Sequence, residues 1–292
     1  MTNFIEHQID RRDYNKNLLL GIRNLPSIPV VMLELTRLLD NPRTSAGDLG
    51  KLISKDQGLV TKILAVANSP LYGLPRRVST IEFAIVILGF DHIKNIVIAL
   101  SMMEAFKGSN EKGWNRQSYW NHSLLTAMAS KRIADDLGYR KSGEVFTAGL
   151  LHDLGISVTQ RFFNHDFKKI NEMVESQQMS YMSAEKLVLG LTHEEVGQFL
   201  IEKWNLPAVL GDAVLFHHQP SLAEVNKPLA AIVHLGDYLT QRFMIGNVDW
   251  DENIGLDPRI IEILKLGDET YLDNLINSYE QLYKDQIDSL TF

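Results

Sequence analysis

His152 and Asp153 stand side by side in VFTAGLLHDLGISV (residues 145–158), a run so apolar that it leaves little room for a solvated face. An ionised carboxylate buried without a partner is strongly destabilising, so the pair needs a ligand, a cation or each other. Taken alone it suits a structural hydrogen-bonded pair as well as a metal-ligand pair. The chain carries its own control in His165-Asp166, the same dipeptide in a polar stretch where solvation is explanation enough.

Other segments repeat the pattern of a polar group on an apolar helical face. His122 lies in line with Leu125, Ala129 and Ile133 on a helix beginning near Trp114, and by itself reads as a core histidine. His193 falls in the first turn of a helix capped by Thr192, where an imidazole either sits at the surface or faces inward with its other nitrogen fixed by a neighbour. His217 and His218 end a helix that starts near Pro207; they can reach a ligand beyond the helix end or simply complement its negative pole. Asp237, in KPLAAIVHLGDYLTQRF, lies one turn after Val233, with His234 as a competing candidate on the same helix. Five imidazoles (His122, His152, His193, His217, His218) and two carboxylates (Asp153, Asp237), with no sulfur, suit Fe, Mn, Zn or Ni. Two octahedral divalent ions could share them, with a carboxylate such as Asp153 between. Such a pair activates water and neutralises phosphoryl charge, which makes phosphoester hydrolysis its natural reaction.

The elements that must position these residues are helical. Apolar residues recur at three- and four-residue spacing, as in Ile28, Val31, Met32, Leu35, Leu38 and Leu39, and strand-like alternation is hard to find, so the fold class is all-α. Helix starts are marked by Thr44-Ser45 before Leu49, by Ser79-Thr80 before Ile81, and by Thr192 with Glu195 three residues on, a capping box. The polar stretch KGSNEK (107–112) predicts a linker or exposed loop. A second boundary is expected around 246–258, followed by one or two short amphipathic helices over 260–283. The chain thus divides into an extension (1–16), an N-terminal helical part (17–112), a metal-binding part (113–245) and a helical tail (246–292).

The 292 residues, 45% of them hydrophobic, are enough for a substantial core. The absence of cysteine leaves only nitrogen and oxygen metal ligands. No apolar run approaches the roughly 20 residues of a membrane span; the longest, 83–90 and 96–103, are too short, and the expectation is a cytosolic chain without a membrane partner. With 29 Lys and Arg against 36 Asp and Glu, the net charge of −7 disfavours non-specific nucleic-acid binding and suits protein or small-molecule partners.

The order His122, His152-Asp153, His193, His217-His218, Asp237 resembles the metal ligands of the HD superfamily of phosphohydrolases, and the paired histidine resembles its cyclic-diguanylate-cleaving HD-GYP branch. The N-terminal half, in LPSIPVVMLELTRLLDNP, DLGKLISKDQGLVTKILAVANSPLYG and FAIVILGFDHIKNIVIAL, resembles the HDOD family, the HD-related output domain of bacterial signalling proteins, over about 17–243. That resemblance implies an N-terminal helical subdomain packed on an HD-like helical subdomain. It also implies one ion among His122, His152, Asp153 and Asp237 and another among Asp153, His193, His217 and His218. The departures matter as well. Gln219, Pro220 and Ser221 stand where HD-GYP enzymes carry an acidic residue and a Gly-Tyr-Pro segment, so cyclic-diguanylate cleavage is not expected. Ile156 stands where those enzymes commonly carry a lysine, and Ser118 supplies no carboxylate for a third ion. Lys131, Arg132 and Arg161 could contact phosphate, but such residues are more often solvated surface side chains, and they are not counted in the site.

A helix-turn-helix reading of 45–69, joined at 56–58, has a plainer counterpart: Leu49, Leu52, Ile53, Val60, Ile63 and Leu64 make ordinary packing faces. Two functions of different class therefore remain. One is a signal-transduction module that binds a partner protein and keeps a two-metal site for structure or sensing. The other is a metal-dependent phosphohydrolase, with Asp153 in the catalytic centre, acting on a small phosphoester or nucleotide. The N-terminal resemblance and the missing recognition segment put the regulatory role first, while the intact ligand set favours the hydrolase.

Overall fold

The computed structural model describes residues 15, 17, 19, 34, 38, 41, 43–74, 76–105, 114–243, 250 and 255–289. Within them the chain is helical throughout, with no strand, as the apolar spacing predicts. The N-terminal part contributes α1 (Ala46–Ile53), α2 (Gln57–Ala67), α3 (Ile81–Leu88) and α4 (Phe90–Ala105). Ser45 caps α1 in a reciprocal box with Asp48, Asp56 caps α2 through Leu59 N, and Thr80 caps α3 through Phe83 N. Gly89, at φ 85°, ends α3 in a conformation that L-residues resist, and α4 leaves at 118° to α3. No single described helix is long and apolar enough to cross a membrane; α3 and the first part of α4 reach that length and composition only together, as a bent pair. In α1 and α2, Leu49, Leu52, Ile53, Leu59 and Ile63 turn into the core.

The second part is built on α5 (Arg116–Asp136), capped by Asn115 through Ser118 N. Around it stand α6 (Ser142–Leu151), α7 (Leu154–Phe162), α8 (Asn164–Gln177), α9 (Tyr181–Val188), α10 (His193–Lys203), α11 (Ala208–Leu215) and α12 (Lys227–Arg242). The single apolar helix expected over 145–158 is in fact two: α6 stops at Leu151, His152 is its C-cap, and Asp153 stands before α7. The His-Asp pair therefore occupies a corner, where side chains can point away from both helix barrels. Likewise α11 ends at Leu215, so His217 and His218 follow the helix rather than close it.

The tail forms α13 (Ile260–Leu264) and α14 (Glu269–Ser289), the latter much longer than the short helix expected. Tyr279 and Tyr283 anchor α14: Tyr279 donates to Asp136 Oδ2 at 2.7 Å, and Tyr283 Oη lies 3.1 Å from Thr240 Oγ1. The predicted linker (107–112), most of the boundary at 246–258 and the residues 28, 31, 32, 35 and 39 of the first periodic segment lie outside the described residues.

Two glycines let backbones meet where the chemistry is. A Cβ on Gly155 would fall 2.0 Å from the His193 carbonyl oxygen, and one on Gly236 would fall 2.2 Å from Ser130 Oγ and 3.0 Å from Ser130 N. The first contact presses α7 onto α10; the second presses α12 onto α5. Gly155→Ala must separate two backbones, and we expect it to cost about 1–3 kcal/mol in urea unfolding, the range typical of overpacking. Unchanged stability would mean that the α7–α10 approach is not a constraint.

Candidate metal centre

The seven predicted residues converge on one buried locus. His122, His152, Asp153, His193, His217 and Asp237 are each 0% exposed, and His218 is half-buried. Asp153 lies at the centre. Its Oδ2 is 3.3 Å from His122 Nε2 and 3.2 Å from His152 Nε2, while its Oδ1 is 3.6 Å from His193 Nε2 and 3.7 Å from His217 Nε2. Asp237 Oδ1 joins the first side, 3.2 Å from His122 Nε2 and 3.6 Å from His152 Nε2. On the second side His193 Nε2 is 3.2 Å from His218 Nε2. Ligand atoms of His122, His152 and Asp153 form one group and those of His193, His217 and His218 another, each within 4.8 Å.

The far nitrogens explain why the near ones point inward. His152 Nδ1 donates to the Gly149 carbonyl and His217 Nδ1 to the Val214 carbonyl, both at 2.7 Å. His193 Nδ1 donates to Glu185 Oε2 at 2.9 Å. A carbonyl cannot donate, so in the neutral rings the proton sits on Nδ1 and the Nε2 lone pair faces the centre, the form a metal requires. Lone pairs and carboxylate oxygens at these separations repel one another unless a cation lies between them. Asp153 Oδ1, Asp237 Oδ1 and His217 Nε2 are buried with no hydrogen-bond partner. The donor set fits divalent ions bound through nitrogen and oxygen.

Without an ion, the field in the cluster favours protons on two of these rings. Burial alone would depress His152, but Asp153 and Asp237 outweigh it and push its pKa up to about 10. Against the same burial penalty, Glu185 raises His193 to about 10. Burial and the neighbouring His152 and His193 drive His217 down to about 3. Burial works against ionised Asp153 and Asp237, yet His122 and His152 hold both well below the usual carboxylate range.

The competing candidate His234 is already committed: Nδ1 donates to the His217 carbonyl at 2.8 Å, and Nε2 accepts from Asp257 N at 2.9 Å. It braces the His217 backbone. His165 of the control dipeptide is exposed. Lys131 and Arg132 are paired with Asp135 and Asp136 on their own helix, and Arg161 lies over the Phe162 ring.

Two residues of the site escaped the sequence. Glu185 is 0% exposed and completes the stripe Tyr181, Ala184, Glu185, Val188 on α9, so a carboxylate on an apolar face was the available signal. Trp250 donates its indole N–H to Asp153 Oδ2 at 2.7 Å, with its ring 5.7 Å from Trp114 and 6.0 Å from Tyr119. It lies in the polar stretch NVDWDENIG, where local pattern says nothing of it.

Residues 25–220 match the HDOD domain. The chain belongs to the HDOD domain family. Among solved structures, an HDOD domain protein of unknown function from Geobacter sulfurreducens is 26% identical and superposes with a TM-score of 0.75, covering 97% of this chain and 99% of that one. A protein from Shewanella amazonensis SB2B, provisionally named a phosphohydrolase, shares the fold at 22% identity and a TM-score of 0.69, covering 94% and 98%. An uncharacterized protein of Treponema pallidum (strain Nichols) is 26% identical over 233 residues, which are 79% of this HDOD chain and 45% of that protein. The chain thus spans about half the length of that relative.

Below pH 10, His152 and His193 hold protons in the ion-free HDOD protein that a metal must displace. Metal affinity should therefore rise with pH between 6.5 and 9, by roughly tenfold per unit for each ion and roughly 100-fold for the pair, as one proton leaves for each. Chelator competition across that range measures it, and a flat profile would contradict the proton assignment.

Proposed function

We propose that this HDOD protein is a regulatory signal-transduction module whose buried cluster holds two divalent ions in a structural or sensing role. The observation that carries the reading is Asp153 itself, shared between both histidine groups and covered by Trp250 on its Oδ2. By this reading His122, His152, Asp153 and Asp237 hold one ion, and Asp153, His193, His217 and His218 the other. Fe, Mn, Ni and Zn all accept such donors. The bound pair would supply positive charge capable of polarising a phosphoryl oxygen.

What the chain adds is position and exclusion. Glu185 and the Gly149 and Val214 carbonyls orient three imidazoles, and the Trp250 indole shields the central carboxylate from water. Catalytic metal sites keep an open position for substrate, whereas structural ones are closed. Nothing cationic waits for phosphate beside this cluster at the position of Ile156, which is 0% exposed and apolar. After His218 the chain enters a short 3₁₀ turn, Pro220–Leu222. These features favour an interaction module that engages a signalling partner protein. The complete ligand set favours the second reading, a metal-dependent phosphohydrolase acting on a small phosphoester or nucleotide.

Elemental analysis of purified protein should find two ions per chain, with Asp153→Ala losing both and His152→Ala losing one. A phosphatase screen with Fe, Mn and Ni should show no turnover. One ion or none in the unaltered protein would sink the two-ion reading. Turnover that disappears in both variants would replace the regulatory reading with the hydrolase.

A further inference from the structure

A cavity of about 400 Å³ opens between α2, the end of α4 and the start of α5, separate from the histidine cluster. Its volume falls in the range of small-molecule sites. Its walls are predominantly apolar, with Met103, Trp114, Tyr119, Trp120 and Leu124 among them; the Trp114 ring is itself packed on Tyr119, Phe167 and Trp250. Three charged side chains border it: Lys62, Arg116 and Glu104. Lys62 is ion-paired with Glu104 and lies 4.7 Å above the Trp120 ring. Arg116, exposed at the first position of α5, has no carboxylate partner among the described residues. Burial, with the Arg116 guanidinium nearby, draws the Lys62 ammonium below its usual range although Asp56 opposes it. The cavity thus joins apolar walls to a cation with no carboxylate partner among the described residues.

We propose that this cavity is a binding site for a small apolar molecule bearing one acid group, its apolar body within these walls and its acid on Arg116. An apolar cavity accepts an apolar body, and a guanidinium matches a carboxylate, sulfonate or phosphate with paired donors. A wholly apolar ligand would leave Arg116 without a partner; a polyanion would crowd Glu104. The proposal does not depend on metal binding, since none of the cluster residues lines the cavity.

The test uses the full chain and two matched dyes, 1-anilinonaphthalene-8-sulfonate and its uncharged relative N-phenyl-1-naphthylamine, titrated by fluorescence and calorimetry. The sulfonate should bind at one saturable site per chain, about tenfold more tightly than the neutral dye. Arg116→Glu should weaken the sulfonate at least tenfold and leave the neutral dye within twofold; an acidic residue in the first helical turn suits the helix dipole, so this variant keeps its fold. Ala65→Phe, which fills the cavity from α2, should abolish binding of both dyes while the circular dichroism spectrum stays unchanged. Equal affinity for the two dyes, or sulfonate binding that survives either substitution, overturns the proposal.

Discussion

The buried carboxylate of Asp153 is the group around which the second half of the molecule is arranged. Taken out of water, it requires positive charge or hydrogen-bond donors from several directions at once. They arrive from His122 on α5, His152 at the α6–α7 corner, His193 on α10 and the indole of Trp250. None of those partners could be dropped without leaving charge uncompensated in a region of 0% exposure. Moving any of these elements would carry a similar penalty, which gives the cluster a part in specifying the packing as well as any chemistry.

The arrangement is possible because helices approach closely there. Gly155 brings α7 against the His193 backbone, and Gly236 brings α12 against α5 one residue before Asp237. The break between α6 and α7 then turns His152 and Asp153 toward the same centre. His234 and Glu185 act at one remove, the former holding the His217 backbone and the latter the His193 ring. A ligand set spread along more than a hundred residues of sequence thereby becomes a compact group of donors.

Aromatic packing links this centre to the neighbouring helices. Trp250 meets Trp114, Trp114 meets Tyr119 and Phe167, and Tyr119 Oη reaches the Asp153 carbonyl at 3.4 Å. Trp114 and Tyr119 also form a wall of the cavity against α2. Trp114 and Tyr119 therefore lie between the histidine cluster and that cavity, at the junction of the two halves of the chain.

Much of this could be read from the sequence. The all-α class followed from apolar spacing, and the starts of α1, α3 and α10 from Ser45, Thr80 and Thr192, because capping is chemistry between residues three apart. The ligand candidates were visible because a charged or imidazole side chain on an apolar face contradicts its surroundings, as at His122, Asp153 and Asp237. The choice between His234 and its neighbours was not visible, since both sit on the inner side of α12 and only the packing of the Asp257 backbone occupies His234. Trp250 lay further out of reach: it contacts a residue 97 positions away, and no local pattern records so distant a hydrogen bond. Local spacing determined which residues were at odds with their surroundings; the tertiary structure decided which of them meet, because convergence depends on helix breaks and close backbone approaches that periodicity does not encode.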